Sequence, residues 1–245
     1  LNLDELSKLV KANTKGIVLT HASNVTGNIT DIRKVGDFCR ENNLIFVVDA
    51  SQTAGAFNID MKEMNIDVLC FTGHKSMLAP QGVGVLCVRE EIYIRPLIVG
   101  GSGTHSYDEF QPDKMPTRLE AGTLNAHGIA GLHVSIEYIL RNKMENLTKR
   151  ALELSRKFYD GVSKLSEVKI YGDFETEYRA PIVSLNISDM DSSEVSSMLY
   201  EEFKISTRPG AHCAPLIHKA LGTVDQGMVR FSFSHSNSDE EIELA

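Results

Sequence analysis

The sequence predicts an α/β protein: a mostly parallel sheet in the first part, then a smaller C-terminal α/β unit. Three observations predict it. Short apolar runs of strand length occur at 17–20, 44–48 and 68–71, each followed by polar residues. An amphipathic helical pattern lies between the first two runs, which gives a β-α-β rhythm and favours parallel pairing. A long helical pattern over 126–163 separates these strands from a second set of short ones. The division falls at 1–140 for the larger domain and 141–245 for the smaller.

Leu3, Leu6, Leu9 and Val10 have helical spacing, so 2–13 is read as an amphipathic helix. Ile17-Val18-Leu19-Thr20 is a buried strand ending at His21, and a loop runs through Asn24 to Gly27. Thr30 and Asp31 supply caps for a helix carrying Ile32, Val35, Phe38 and Cys39 on one face. Asn42 and Asn43 end it. Leu44-Ile45-Phe46-Val47-Val48 is the next strand and ends in Asp49; Val68-Leu69-Cys70-Phe71 is another. After a loop over 76–81, residues 82–88 form a further strand. The stretch 90–122 is loop-rich and contains Gly100-Gly101-Ser102-Gly103, either a flexible wall of a site or a plain turn. In the helical pattern that follows, Ile129, Leu132, His133, Ile136 and Ile139 trace the stripe, which reads as a bridge between the domains. Residues 181–187 are a strand, Asp191 with Glu194 opens a helix ending near Phe203, and 205–207 and 228–232 are short strands. Asn237 to Glu241 opens a last helix of about one turn; so short a helix is marginal alone, and the natural chain is expected to continue.

The chain has 245 residues, 42% of them apolar, enough for a real core. A net charge of −8 argues against general nucleic-acid binding. No apolar run has the length of a membrane span and no signal peptide opens the chain. Four cysteines, at 39, 70, 87 and 213, form no zinc or C-x-x-C spacing, which suits a reducing cytoplasm. The histidines are scattered and predict no metal site. No G-x-G-x-x-G opens a helix after a strand, which disfavours a nicotinamide-binding domain. The first residue is Leu1, which suggests a fragment or a processed or trimmed chain.

Lys75 follows the third apolar run in Thr72-Gly73-His74-Lys75. Lysine is rarely buried unless paired or chemically used; taken alone, Lys75 could be a solvated loop lysine. Asp49 leaves its own strand at a comparable place, and adjacent parallel strands put both side chains at one rim. An amine and a carboxylate so placed suit pyridoxal phosphate (PLP): the lysine forms the Schiff base and the carboxylate keeps the pyridine nitrogen protonated.

Four ordered pieces, Asp49-Ala50-Ser51-Gln52, Thr72-Gly73-His74-Lys75, Arg208-Pro209-Gly210-Ala211-His212-Cys213 and Arg230 in its strand, carry a family resemblance. The chain resembles a cysteine desulfurase of the class V aminotransferase family, among the PLP enzymes of fold type I. The resemblance runs from His21-Ala22-Ser23-Asn24 to the last helix. It implies that Lys75 binds PLP and moves the substrate Cα proton, and that Asp49 pairs with the ring nitrogen. Gln52 would bond the phenolic oxygen, or be a surface amide on a turn. Thr72 and His74 would contact the phosphate. Asn24 and Arg230 would bind the substrate α-carboxylate, Arg230 through two parallel bonds; Asn24 is equally a turn former. Arg208 resembles a family arginine near the site. Cys213 would be the sulfur acceptor, beside His212 and five residues after Arg208, where cationic neighbours raise the thiolate fraction. The other three cysteines read as small core residues. Thr123 would reach across a homodimer to the partner's phosphate, or cap the following helix, or both.

The resemblance further implies L-cysteine or selenocysteine as substrate, a sulfur-acceptor protein and a role in sulfur metabolism such as iron–sulfur cluster assembly. Family members carry, before the point matching Leu1, a phosphate-cupping turn at a helix N-terminus and a residue that stacks on the pyridine ring. Neither is found in 1–20, so the large domain is expected to lack its N-terminal part, and this chain to bind PLP weakly or not at all and to be less active than a full-length parent. Other class V aminotransferases or C–S lyases share Lys75 and Asp49 without needing Cys213. A non-catalytic fragment that has lost the cofactor is the remaining alternative.

Overall fold

The computed structural model describes residues 3–245. Its first helix is shorter than the leucine spacing predicts. A 3-10 turn at Leu3–Glu5 runs into α1 (Leu6–Leu9), and Val10 is already extended. Leu6 is buried whereas Leu9 is exposed, so one anchor holds the segment and further turns gain nothing. Asn2 lies outside the described residues.

The larger sheet comes next: β1 (Gly16–Thr20), α2 (Ile32–Glu41), β2 (Ile45–Asp49), β3 (Val68–Thr72) and β4 (Gly84–Val88). Strand order is β1-β2-β3-β4; the first two pairings are parallel and the third is antiparallel. The Asp31 carboxylate caps α2 by accepting from the Lys34 N–H at 3.0 Å. Ile32, Val35 and Cys39 on α2 pack against Phe46, Val48, Ile66 and Leu69. The register sets Thr20 opposite Asp49 and Asp49 opposite Cys70, so three strands bring their carboxyl ends to one rim. The expected α/β class with a mostly parallel sheet is what the chain forms.

Residues 90–124 are irregular apart from a 3-10 turn at Thr117–Leu119. Two helices follow, α3 (Ala126–Asn142) and α4 (Met144–Val162), broken at Lys143, whose φ is +62°. The stripe expected on α3 is partly wrong. Leu132 and Ile139 are buried, but Ile129, Ile136 and His133 are exposed. The inward face instead carries the small residues Gly128 and Ser135. A side chain at Gly128 would press on Asn125 and Val83, so close approach, not bulk, selects the face.

The remaining elements are β5 (Val168–Tyr171), β6 (Ile182–Ile187), α5 (Ser192–Phe203), α6 (Pro215–Leu221), β7 (Val229–Ser232) and α7 (Asp239–Leu244). They form an antiparallel sheet of order β5-β6-β7 backed by α4. Neither β5 nor α6 is evident in the sequence pattern. The strand expected at 205–207 does not form; the chain has no regular structure there, and Arg208 alone bridges to Arg230. The core holds Leu154, Phe158, Val183, Val229 and Phe231; burying a side chain such as Phe158 contributes roughly 1.5–3 kcal/mol. Asp191 caps α5 through the Ser193 N–H. The short α7 is secured by a reciprocal capping box between Ser238 and Glu241, by burial of Ile242 and by an ion pair from Arg150 to Asp239 at 2.7 Å. Among the described residues, no helix is long and apolar enough to cross a membrane.

Candidate active site

The rim of the larger sheet carries the first group of polar residues. Asp49 ends β2, and its carboxylate accepts from the Ser51 N–H at 2.9 Å. The Asp49 carbonyl accepts from the His21 N–H at 2.9 Å, which ties the ends of β1 and β2 together. Thr72 ends β3, and its hydroxyl lies 2.6 Å from Nδ1 of the exposed His74. Gly73 between them is required by packing, because a Cβ there would come within 2.8 Å of Val83 Cγ1. Lys75 does not end the buried strand. It stands three residues beyond β3 in an exposed turn, where its carbonyl accepts from the Leu78 N–H. Partial burial by its neighbours lowers the Lys75 pKa most; Asp49 opposes this, Arg230 and Arg208 add to it, and Cys213 opposes it. Asp49, both arginines and the thiol therefore each lie within electrostatic reach of Lys75.

A cleft of about 400 Å³ opens between this rim and the smaller sheet, with Asn24, Gln52, Lys75, Arg208 and Arg230 in its wall. A larger groove of about 1810 Å³ runs along α4 from Phe57 to Arg179, but none of the residues just named lines it. Chemistry, not size, identifies the site.

Asn24 and Arg230 meet directly: Arg230 Nη1 donates to the Asn24 carbonyl at 3.0 Å. The Asn24 amide donates to the His212 carbonyl at 2.6 Å. Arg230 is pinned by backbone pairing with Arg208, at 2.9 and 3.1 Å. Burial lowers its pKa, and Arg208 adds to that.

Cys213 is exposed, with φ +57°, and Arg208 Nη2 lies 3.4 Å from its sulfur. The other thiols differ. Burial pushes Cys39 up to about 11 and raises Cys70 and Cys87 as well. One sequence expectation fails beside Cys213. His212 is only 2% exposed, and burial, reinforced by Arg230, His218 and Arg208, drops it to about 4, although its bond to the Arg208 carbonyl opposes this. Its ring is neutral near pH 7, so Arg208 supplies the positive charge at the thiol and His212 does not. The His212 Nε2–H instead donates to the Arg208 carbonyl, 2.9 Å away, and the ring stacks on His218.

Thr123 is exposed, lies outside the cleft and does not cap α3. Asn125 is the cap and accepts from the Gly128 N–H at 3.0 Å. Sequence reasoning missed three residues that support the site: buried His21, 2.9 Å from Thr53 Oγ1; Ser184; and Arg179. Arg179 carried one usable signal, a lone cation three residues before the start of apolar β6.

The Aminotransferase class-V family model matches residues 1–244. A probable cysteine desulfurase of Pyrococcus abyssi is 34% identical over 99% of this chain, and one of Methanothermobacter thermautotrophicus is 32% identical over 96%. A solved cysteine desulfurase from Thermococcus onnurineus superposes with TM-score 0.89 at 34% identity, and one from Escherichia coli with 0.90 at 26%, each over 99% of this chain. The chain spans 60% of the length of each of these four relatives. With a family match along almost every residue and the same fold in two solved relatives, the chain belongs to the class-V aminotransferases.

Proposed function

We propose that this chain carries the cofactor and sulfur-transfer residues of a PLP-dependent cysteine desulfurase, with 1–140 as the cofactor-binding domain and 141–245 as the smaller domain. The family is PLP-dependent, and the donor set suits that group. Lys75 offers an amine within electrostatic reach of a carboxylate, and Thr72, His74 and Gln52 offer polar groups beside it. PLP bound there would supply an electron-withdrawing ring that stabilises negative charge at the substrate Cα.

The residues of the chain then divide the work. Lys75 takes and returns the Cα proton, and its lowered pKa enlarges the neutral fraction able to do so. Asp49 would pair with the ring nitrogen and favour its protonated form, and Thr72 and His74, with Thr123 from the second copy of a homodimer, would hold the phosphate. Asn24 and Arg230 bind the α-carboxylate, with Arg208 as a second cation nearby. The Cys213 thiolate attacks the sulfur of L-cysteine, or the selenium of selenocysteine. The Sγ–S bond forms as the C–S bond breaks, and protonation of the carbon product gives alanine. The persulfide on Cys213 passes to an acceptor protein, as iron–sulfur cluster assembly requires, in a reducing compartment such as the cytoplasm.

The observation that carries this reading is the exposed Cys213 thiol, 3.4 Å from a guanidinium and within reach of Lys75. The relatives named as cysteine desulfurases support it. The test is L-cysteine turnover by the PLP-loaded protein and its Cys213→Ser variant. The variant keeps the visible absorbance of Lys75-bound cofactor and loses sulfur transfer. Sulfide release that survives the substitution indicates a C–S lyase instead, and an absent cofactor band after PLP addition indicates a non-catalytic chain. Borohydride reduction and peptide mapping then place the cofactor mass on Lys75.

A further inference from the structure

The segment that presents Asn24 is held through its backbone. Successive carbonyls from 24 to 27 all accept from the C-terminal half of the chain. Asn24 O accepts from Arg230 at 3.0 Å, Val25 O from the Ser184 hydroxyl at 2.5 Å, Thr26 O from Arg179 Nη2 at 2.9 Å and Gly27 O from the Ala180 N–H at 2.8 Å. Arg179 is the centre of this seam. It is 5% exposed; Nη2 also donates to Ile182 O at 2.8 Å, and Nη1 to Asp173 O at 2.6 Å. Its guanidinium lies 3.3 Å from the centroid of the Phe174 ring. Among the described residues, no carboxylate forms an ion pair with it. Burying a cation without a counter-ion is costly, and here carbonyls from three segments accept from Nη1 and Nη2, while buried Nε has no hydrogen-bond partner. The backbone is fitted to this cation: Gly27 has φ +73°, and a Cβ there would come within 2.9 Å of Arg179 Nη2.

Resting on the desulfurase reading for the identity of the substrate, the geometry points to Arg179 as a positioning residue for the amino-acid carboxylate. By fixing the Thr26 carbonyl it holds the Asn24 backbone, whose carbonyl meets Arg230 and whose side-chain amide donates to the His212 carbonyl, so the subsite is formed before substrate arrives. Arg179 itself does not line the cleft. A subsite ordered in advance spares the ligand the entropy of ordering it, and that benefit falls on substrate binding more than on chemistry.

The test compares wild type with Arg179→Lys and Phe174→Leu. Lysine keeps the charge but lacks the planar fork that reaches three carbonyls. Phe174→Leu keeps every donor and removes only the ring beneath it, which keeps the test open if Arg179→Lys does not fold. Amide hydrogen exchange is read on the purified chain, and KM and kcat for L-cysteine on the PLP-loaded protein. Arg179→Lys speeds exchange across 22–29 by about tenfold or more, leaves 45–49 unchanged, and raises KM about tenfold with kcat within about threefold. Phe174→Leu moves both in the same direction by less. Unchanged exchange in both variants, or faster exchange with KM unchanged, overturns the assignment. Absence of turnover in the wild type rejects the desulfurase reading instead, while the exchange measurement still decides whether Arg179 holds the segment.

Discussion

The sheet rim and the seam between the two sheets face one cleft, but they hold their polar groups in opposite ways. On the rim, Lys75 and His74 are exposed, and the Thr72 hydroxyl bonds to the His74 side chain rather than to framework. In the seam, Arg179 and His212 are buried, and the carbonyls of 24–27 are all engaged by the other half of the chain. An exposed polar group is available to a ligand; a buried one bonded to backbone sets the shape the ligand meets. Under the proposed function, the difference gives chemistry to the rim and geometry to the seam. Cys213 sits between them, exposed like the rim but carried on a loop whose next-door residue, His212, is part of the seam.

Substituting Lys75 is the sharpest way to separate the two. Lys75→Ala lowers the proposed L-cysteine turnover roughly 10²–10⁴-fold and leaves the thermal midpoint nearly unchanged, since the side chain is exposed. A large drop in the midpoint would move Lys75 into the framework and break the comparison. Acid titration probes the seam. His21 and His212 are buried neutral, each lowered from 6.5 to about 4, chiefly by burial. Between those values the unfolded chain binds more protons than the folded one. Their contribution is therefore fully present above about pH 6.5 and is lost as pH falls toward 4, at most roughly 3 kcal/mol each. Urea unfolding across this range measures it, and His212→Asn removes its share of the slope. A flat profile would show that these rings are not held neutral.

Arg230 belongs to both sides, so its loss shows in both readouts. Arg230→Met raises KM for L-cysteine about tenfold or more and costs roughly 1.5–3 kcal/mol of stability, because the Asn24 carbonyl loses a charge-assisted partner. A stability loss with KM unchanged would remove Arg230 from the substrate site. The smallest effect is expected in the irregular stretch 90–124, where Leu97 is 97% and Phe110 84% exposed and Tyr107 is equally bare. Tyr107→Ser changes stability by less than about 0.5 kcal/mol, while sedentation-based molecular mass reports any weakening of the proposed homodimer. A larger stability loss in the monomer would mean that this stretch is packed like the seam.

What the sequence determined by itself was local. Apolar runs of strand length located β1, β2 and β3, and Asp31 and Asp191 marked helix starts by side-chain capping, an interaction within a few residues. Because strand ends in a parallel sheet share a rim, Asp49 at the end of β2 and the turn that carries Lys75 after β3 were expected on one side, although Lys75 itself lies three residues past the strand end. The tertiary structure decided what depends on distant neighbours. The His212 ring is neutral because burial and the nearby Arg230 and Arg208 charges disfavour its protonation. The inward face of α3 is set by close approach at Gly128 and Ser135, not by the isoleucine stripe. Arg179 earns its place through carbonyls at Thr26, Asp173 and Ile182, one of them 153 residues away. Burial and long-range hydrogen bonds are properties of the folded assembly, and no spacing within the chain encodes them.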